Sequence, residues 1–207
     1  MNDGYKAVLG AIASSDPTPG GGSVAALSLA HAQSLAIMVA RLTAGKEKWV
    51  DGHESAESII SKWVPKIGAT IGLAEKDAHA FDQVMGAYRL PKSDEKEKEF
   101  RKLSIREATI GAAQAPLETA SEALDLLSDI ESFSKSCNSN ALTDLASAAE
   151  LSSSAVNIAS MNVRINLDFI EGKDVDELST RLDAVVEGSA YSLERIRSTV
   201  SERLGWK

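Results

Sequence analysis

The chain has 207 residues, 43% hydrophobic and 25% charged, which excludes a disordered polypeptide and leaves ample length for a buried core. Its 30 acidic against 22 basic side chains give a net charge of −8, and this argues against nucleic acid as a partner, because phosphate binding needs clustered Lys and Arg. The single cysteine, Cys137, has no internal disulfide partner and the first residues lack the basic and apolar regions of a secretion signal, so a cytoplasmic protein is expected.

Aromatic residues are only 5%, β-branched runs are absent, and Ala, Leu, Ser and Glu recur at helical spacing. The pattern predicts an all-α, single-domain bundle of about six long, mostly antiparallel helices, at 2–14, 23–44, 53–89, 94–135, 139–170 and 174–204. Between the first two lies Pro17-Thr18-Pro19-Gly20-Gly21-Gly22-Ser23. Two prolines stiffen this loop, three glycines allow a ligand close to backbone N–H groups, and Ser23 stands where an N-cap belongs. No Gly-Lys-Ser/Thr follows and no strand precedes it, so it is neither a phosphate loop nor a dinucleotide fingerprint. A flexible connector is the competing interpretation.

The second helix carries Ala25, Ala26, Ala30, Ala32, Ala36 and Ala40 and is apolar nearly all round. Such a helix is buried on most sides, which predicts a homodimer, although a central place in a monomer would bury it too. Ser28, His31, Gln33, Ser34 and Arg41 argue against a membrane span. Arg41, Lys46 and Lys48 then gather beside Trp49, either as a dock for a carboxylate tail or as a solvated loop.

On the third helix Asp77, Phe81, Val84 and Tyr88 form one stripe at i, i+4, i+7 and i+11. A carboxylate on an apolar stripe is desolvated, and its raised pKa makes it a candidate general acid or base unless a cation pairs with it. Pro65 and Pro116 fall inside helical patterns and are expected to kink them, while Leu90-Pro91-Lys92 ends the third helix before Ser93 caps the fourth. The fifth helix is punctuated by Asn138, Asn140, Asp144, Asn157, Asn162, Arg164 and Asn166. Asn140 with Asp144, and Asn162 with Asn166, are four apart and share faces, fit either to read a heterocycle's edge or to bond neighbouring helices. His31, His53 and His79 lack metal-ligand spacing, and no metal site is expected.

Taken in order, Pro17 to Ala26, Arg41-Leu42-Thr43-Ala44-Gly45-Lys46, Asp77-Ala78-His79-Ala80-Phe81, Leu90-Pro91-Lys92, Asn140 to Asp144 and Asn162 to Leu167 resemble the formiminotetrahydrofolate cyclodeaminase and methenyltetrahydrofolate cyclohydrolase family over nearly the whole chain. One departure is Ser139, where the family commonly has glycine before the asparagine. The resemblance implies a dimeric helical enzyme acting on folates, with Asp77 as the catalytic carboxylate and no cofactor beyond the tetrahydrofolate substrate. Folate is expected where Gly20, Gly21, Gly22, Ser23, Arg41, Lys46, Asn140, Asp144, Asn162 and Asn166 converge, the cations taking its glutamate carboxylates and the amides its pterin edge. Cyclodeamination is the leading expectation, cyclohydrolysis the second, and a non-catalytic folate-binding or interaction protein the third. The vertebrate enzyme fuses this domain to a formiminotransferase, for which 207 residues leave no room, so a separate formiminotransferase is an expected partner.

Overall fold

Seven α-helices and three short 3-10 segments make up the regular structure of residues 3–206, which the computed structural model describes, and none of these residues lies in a strand. The helices are α1 (Asp3–Ile12), α2 (Gly21–Thr43), α3 (His53–Trp63), α4 (Ile67–Tyr88), α5 (Glu95–Phe133), α6 (Leu142–Leu167) and α7 (Lys173–Leu204). The expected all-α bundle is therefore observed, with informative shifts at the helix ends.

The two prolines behave differently. Pro65 sits in a 3-10 turn, Val64–Lys66, that divides the expected third helix into α3 and α4. Pro116 leaves α5 continuous over 39 residues, at the cost of one missing N–H and so one unclaimed carbonyl four residues earlier, at Ala112. Asp94, not Ser93, is the N-cap of α5, because its carboxylate accepts the Glu97 N–H at 2.8 Å. Glu97 reaches back to the Ser93 N–H at 2.7 Å. Asn140 lies in a 3-10 turn, Ser139–Ala141, ahead of α6, so it does not share a helix face with Asp144.

Helices α2 and α6 form an antiparallel pair at the centre. At one end Asn138 donates to Thr43 Oγ1 (3.0 Å) and to the Leu42 carbonyl (3.1 Å), and at the other Gly21 lies against Asn162. Around them the core closes with Leu29, Ile59, Trp63, Leu126, Ile130, Phe133, Leu142 and Leu145, all essentially without exposure. The Trp63 indole N–H donates to Asp129 Oδ2 at 2.7 Å, so even the largest core side chain has its polar atom satisfied. Although α2 is long and apolar enough to cross a membrane, most of that stretch is buried inside the bundle.

Helix α4 runs antiparallel to α2, with Ser23 beside Ala74. Helix α5 runs antiparallel to both α4 and α6, through Lys66 with Glu122 and Ser152 with the Ala123 carbonyl. Helix α7 is parallel to α5, as Arg106 with Asp174 and Glu131 with Arg195 require. The consequence for function lies at one end, where α4 continues about 16 Å beyond Asp77 to Tyr88 at 1.5 Å per residue, while α2 has already stopped at Gly21.

Candidate active site

Where α2 ends, its neighbours enclose a socket of about 460 Å³. The loop residues Pro17, Thr18 and Gly20 cover one side and Gly21 and Gly22 form the floor. Asp77, Phe81, Val84 and Tyr88 come from α4, Thr109 and Ala112 from α5, and Asn162, Ile165, Asn166 and Phe169 from α6 and its end. The volume suits a small organic ligand, and three aromatic rings among mostly apolar walls suit a flat one.

Asp77 stands at the floor. Burial pushes its carboxyl above the usual aspartate value of 3.8, and hydrogen bonds from the Ser23 hydroxyl and the Ser23 backbone N–H only partly offset this. The Ser23 hydroxyl lies 3.2 Å from Asp77 Oδ2 and 3.0 Å from the Ala74 carbonyl, and its own exposure is 0%. Ser23 is thus neither an N-cap nor a residue with access to the substrate. Helix α2 starts two residues earlier with Gly20 as its cap, and Ser23 holds the carboxylate from inside the first turn. This approach explains the glycines. A Cβ on Gly22 would sit 2.0 Å from Asp77 Oδ1, and one on Gly21 would sit 3.1 Å from Asn162 Nδ2. The loop glycines admit a carboxylate of the protein itself as well as leaving room above it.

The two asparagines are oriented by what their amide nitrogens already bind. Asn162 Nδ2 donates to the Ile158 carbonyl at 2.9 Å. Asn166 Nδ2 donates to the Asn162 carbonyl at 2.8 Å and to the Ala112 carbonyl at 3.0 Å, the same carbonyl that Pro116 leaves without a helical donor. Both Asn166 protons are spent, so its Oδ1 is the atom left for a ligand. Thr109, whose hydroxyl donates to the Ile105 carbonyl at 2.7 Å, likewise keeps acceptor capacity. These side chains suit the N–H edge of a ring.

Gly20, Gly21, Gly22, Asp77, Asn162 and Asn166 are brought together at the socket, with Ser23 behind Asp77. Arg41, Lys46, Asn140 and Asp144 are not. They lie at the opposite end of the α2–α6 pair, where Asn138 bridges the two helices, and eighteen residues of helix put Arg41 about 27 Å from Ser23. The expected convergence of all these groups does not occur within one chain, because α2 is a single straight spacer between its two polar ends. Thr109 and Phe169 were not expected. Phe169 was signalled by its spacing, seven residues after Asn162 and three after Asn166, whereas Thr109 carried no local sign. A larger hollow of about 620 Å³ lies between α1, α2 and α4, but its walls are apolar apart from Ser28, Ser34 and the Tyr5–His31 pair, and it holds no carboxylate.

Residues 4–183 match the family model described as Formiminotransferase-cyclodeaminase. The chain is 31% identical to a methenyltetrahydrofolate cyclohydrolase of Methylorubrum extorquens over 204 residues, covering 98% of both. It is 32% identical to the formimidoyltransferase-cyclodeaminase of Rattus norvegicus over 149 residues, spanning only 28% of that longer protein. Its fold superposes on the crystal structure of the formiminotetrahydrofolate cyclodeaminase of Thermotoga maritima with a TM-score of 0.85 and 26% identity, over 99% of this chain and 98% of that one. A helical bundle with a half-buried carboxylate at the foot of a socket walled by aromatic rings, and a matching family model over most of its length, place this chain in the formiminotransferase-cyclodeaminase family.

Proposed function

We propose that the protein converts 5-formiminotetrahydrofolate to 5,10-methenyltetrahydrofolate and ammonia, with Asp77 carrying the proton. The observation that supports this most directly is a carboxyl group with raised proton affinity at the floor of a socket otherwise lined by rings, apolar groups and acceptors. In the reaction N10 attacks the formimino carbon, its proton passes to Asp77, and the resulting acid returns a proton to the nitrogen that leaves as ammonia. The acceptor oxygens of Asn162 and Asn166 hold the donor edge of the pterin, and the scheme uses no cofactor beyond the folate. A formiminotransferase would supply the substrate, and the reaction belongs in the cytoplasm.

Hydrolysis of 5,10-methenyltetrahydrofolate is the second reading, favoured by the name of the Methylorubrum relative that matches end to end. It needs similar proton transfers, with water as nucleophile. Supplying each compound in turn and following the near-ultraviolet absorbance of the methenyl form separates them. Appearance of the band from the formimino compound is the expected result, whereas accelerated loss of the band alone would make the enzyme a cyclohydrolase.

A homodimer belongs to this proposal, and it supplies what a single chain keeps apart. Along α2 beyond Gly21, Val24, Leu27, Ser28, His31, Ser34, Leu35, Met38, Arg41 and Leu42 are the positions left incompletely buried, and they fall on one stripe that recurs every three to four residues as in a seam between paired helices. Antiparallel pairing of α2 with its copy, centred near residue 33, sets Val24 against the partner's Leu42 and Gly20 level with the partner's Lys46. Each socket then receives Arg41 and Lys46 from the other chain. Mixing Asp77→Asn with Arg41→Glu/Lys46→Glu, each inactive alone, should restore activity, because random exchange leaves about a quarter of the sites intact in a closed two-fold dimer. No recovery after confirmed subunit exchange would rule the shared site out.

A further inference from the structure

We propose that Arg101, on the first turns of α5, is an anion receptor at the rim of the socket and takes a carboxylate of the folate glutamate tail. The proposal rests on the folate reading of the site and is tested apart from it. The socket lining contributed by a single chain contains no cation, so a ligand carrying carboxylates must find countercharge beyond those walls. Tyr88 is one of those walls, and the Arg101 guanidinium lies over its ring, 5.5 Å from the centroid. Nε and Nη2 of Arg101 donate to the Tyr88 carbonyl at 3.3 and 3.0 Å, which closes the end of α4 and fixes the guanidinium plane.

Holding that carbonyl uses two of the five guanidinium protons and leaves three free. No carboxylate among the described residues pairs with Arg101. Arg106, Arg164, Arg195 and Arg197 contrast with it, since each faces an acidic partner, namely Asp174, Asp183, Glu131 and Glu150. A guanidinium held flat against the wall of the site, with no acidic partner and three of its five donors unspent, is preorganised for an external carboxylate. A flexible lysine would cap α4 equally well but could not offer the paired donors.

The test is binding of tetrahydrofolate and of tetrahydropteroate, which lacks the glutamate, to the intact protein by calorimetry. Arg101→Gln should weaken tetrahydrofolate about tenfold, the scale of one partly exposed charge-assisted contact, and leave tetrahydropteroate within twofold. Arg101→Lys should fall between. The proposal is overturned by an unchanged tetrahydrofolate affinity, and equally by a loss shared by both ligands, which would mean that Arg101 only props Tyr88 and the end of α4. A tenfold loss in Arg41→Ala/Lys46→Ala with none in Arg101→Gln would place the tail on the partner subunit's cations instead. Wild-type protein that binds tetrahydrofolate but turns over neither folate substrate would sink the proposed reaction and leave Arg101 to be judged by its binding result. Failure of the wild type to bind tetrahydrofolate at all would sink both.

Discussion

Asp77→Asn is expected to lower turnover by about 10²–10⁴-fold, the usual contribution of one general acid–base group, with folate affinity little changed. The amide keeps the size of the carboxylate and an oxygen for the Ser23 donors, but it cannot ionise. The wild-type rate should carry a pH limb from a carboxyl titrating above 3.8, since burial holds its proton on, and the variant should lose that limb. Stability should move the other way. Because the folded protein holds the Asp77 proton more tightly than the unfolded chain, the contribution of Asp77 to stability is fully present below 3.8 and is lost as pH rises through the raised native value. The amide escapes this cost, so the variant's Tm at neutral pH should equal or exceed that of wild type, with the advantage vanishing in acid. A variant that keeps turnover within threefold, or one whose Tm drops while activity survives, would make Asp77 a structural residue.

Gly22→Ala should be nearly as damaging by a different route. Alanine ordinarily gains about 1 kcal/mol over glycine inside a helix. Here its Cβ would stand 2.0 Å from Asp77 Oδ1 and 2.4 Å from Cγ, so either the carboxylate swings away or α2 and α4 separate. Overpacking of this kind costs about 1–3 kcal/mol, enough to outweigh the propensity gain, and it removes the proton carrier from the floor of the socket. We expect turnover to fall more than 100-fold, the loss of a positioned proton carrier, together with a lowered Tm. Adding Asp77→Gly should restore Tm by freeing the space and leave turnover lost. Gly21→Ala is the control, since its Cβ meets only the end of the Asn162 amide at 3.1 Å and should be milder. Full activity in Gly22→Ala would show that Asp77 has room to spare.

The bundle was legible because helical periodicity is local, and the chain repeats it through nearly every segment. The ends were less so, since what decides them lies on other helices. Ser23 looked like a cap because serine after glycines usually is one, yet the helix began earlier to admit Asp77 from fifty-four residues away. Pro116 and Asn166 each carry an ordinary local meaning, and only their meeting at the Ala112 carbonyl shows why that amide presents its oxygen. Arg41 and Lys46 were grouped correctly as cations, but their distance from the glycines is set by the length of α2, which motif order does not express.

The socket is in effect a missing length of α2. Three helices stand around a space that a fourth would have filled, and the apolar core of that end, Ala113, Leu117, Val163, Leu167, Val175, Leu178 and Leu182, lies between α5, α6 and α7 and leaves the space itself open. Bound folate would act as the absent segment, with its ring stacked on the first turn of α2 and in contact with α4, α5 and α6 at once. Substrate occupancy and cohesion of this end of the protein are then one property, and ligand binding strengthens the fold where it is otherwise hollow.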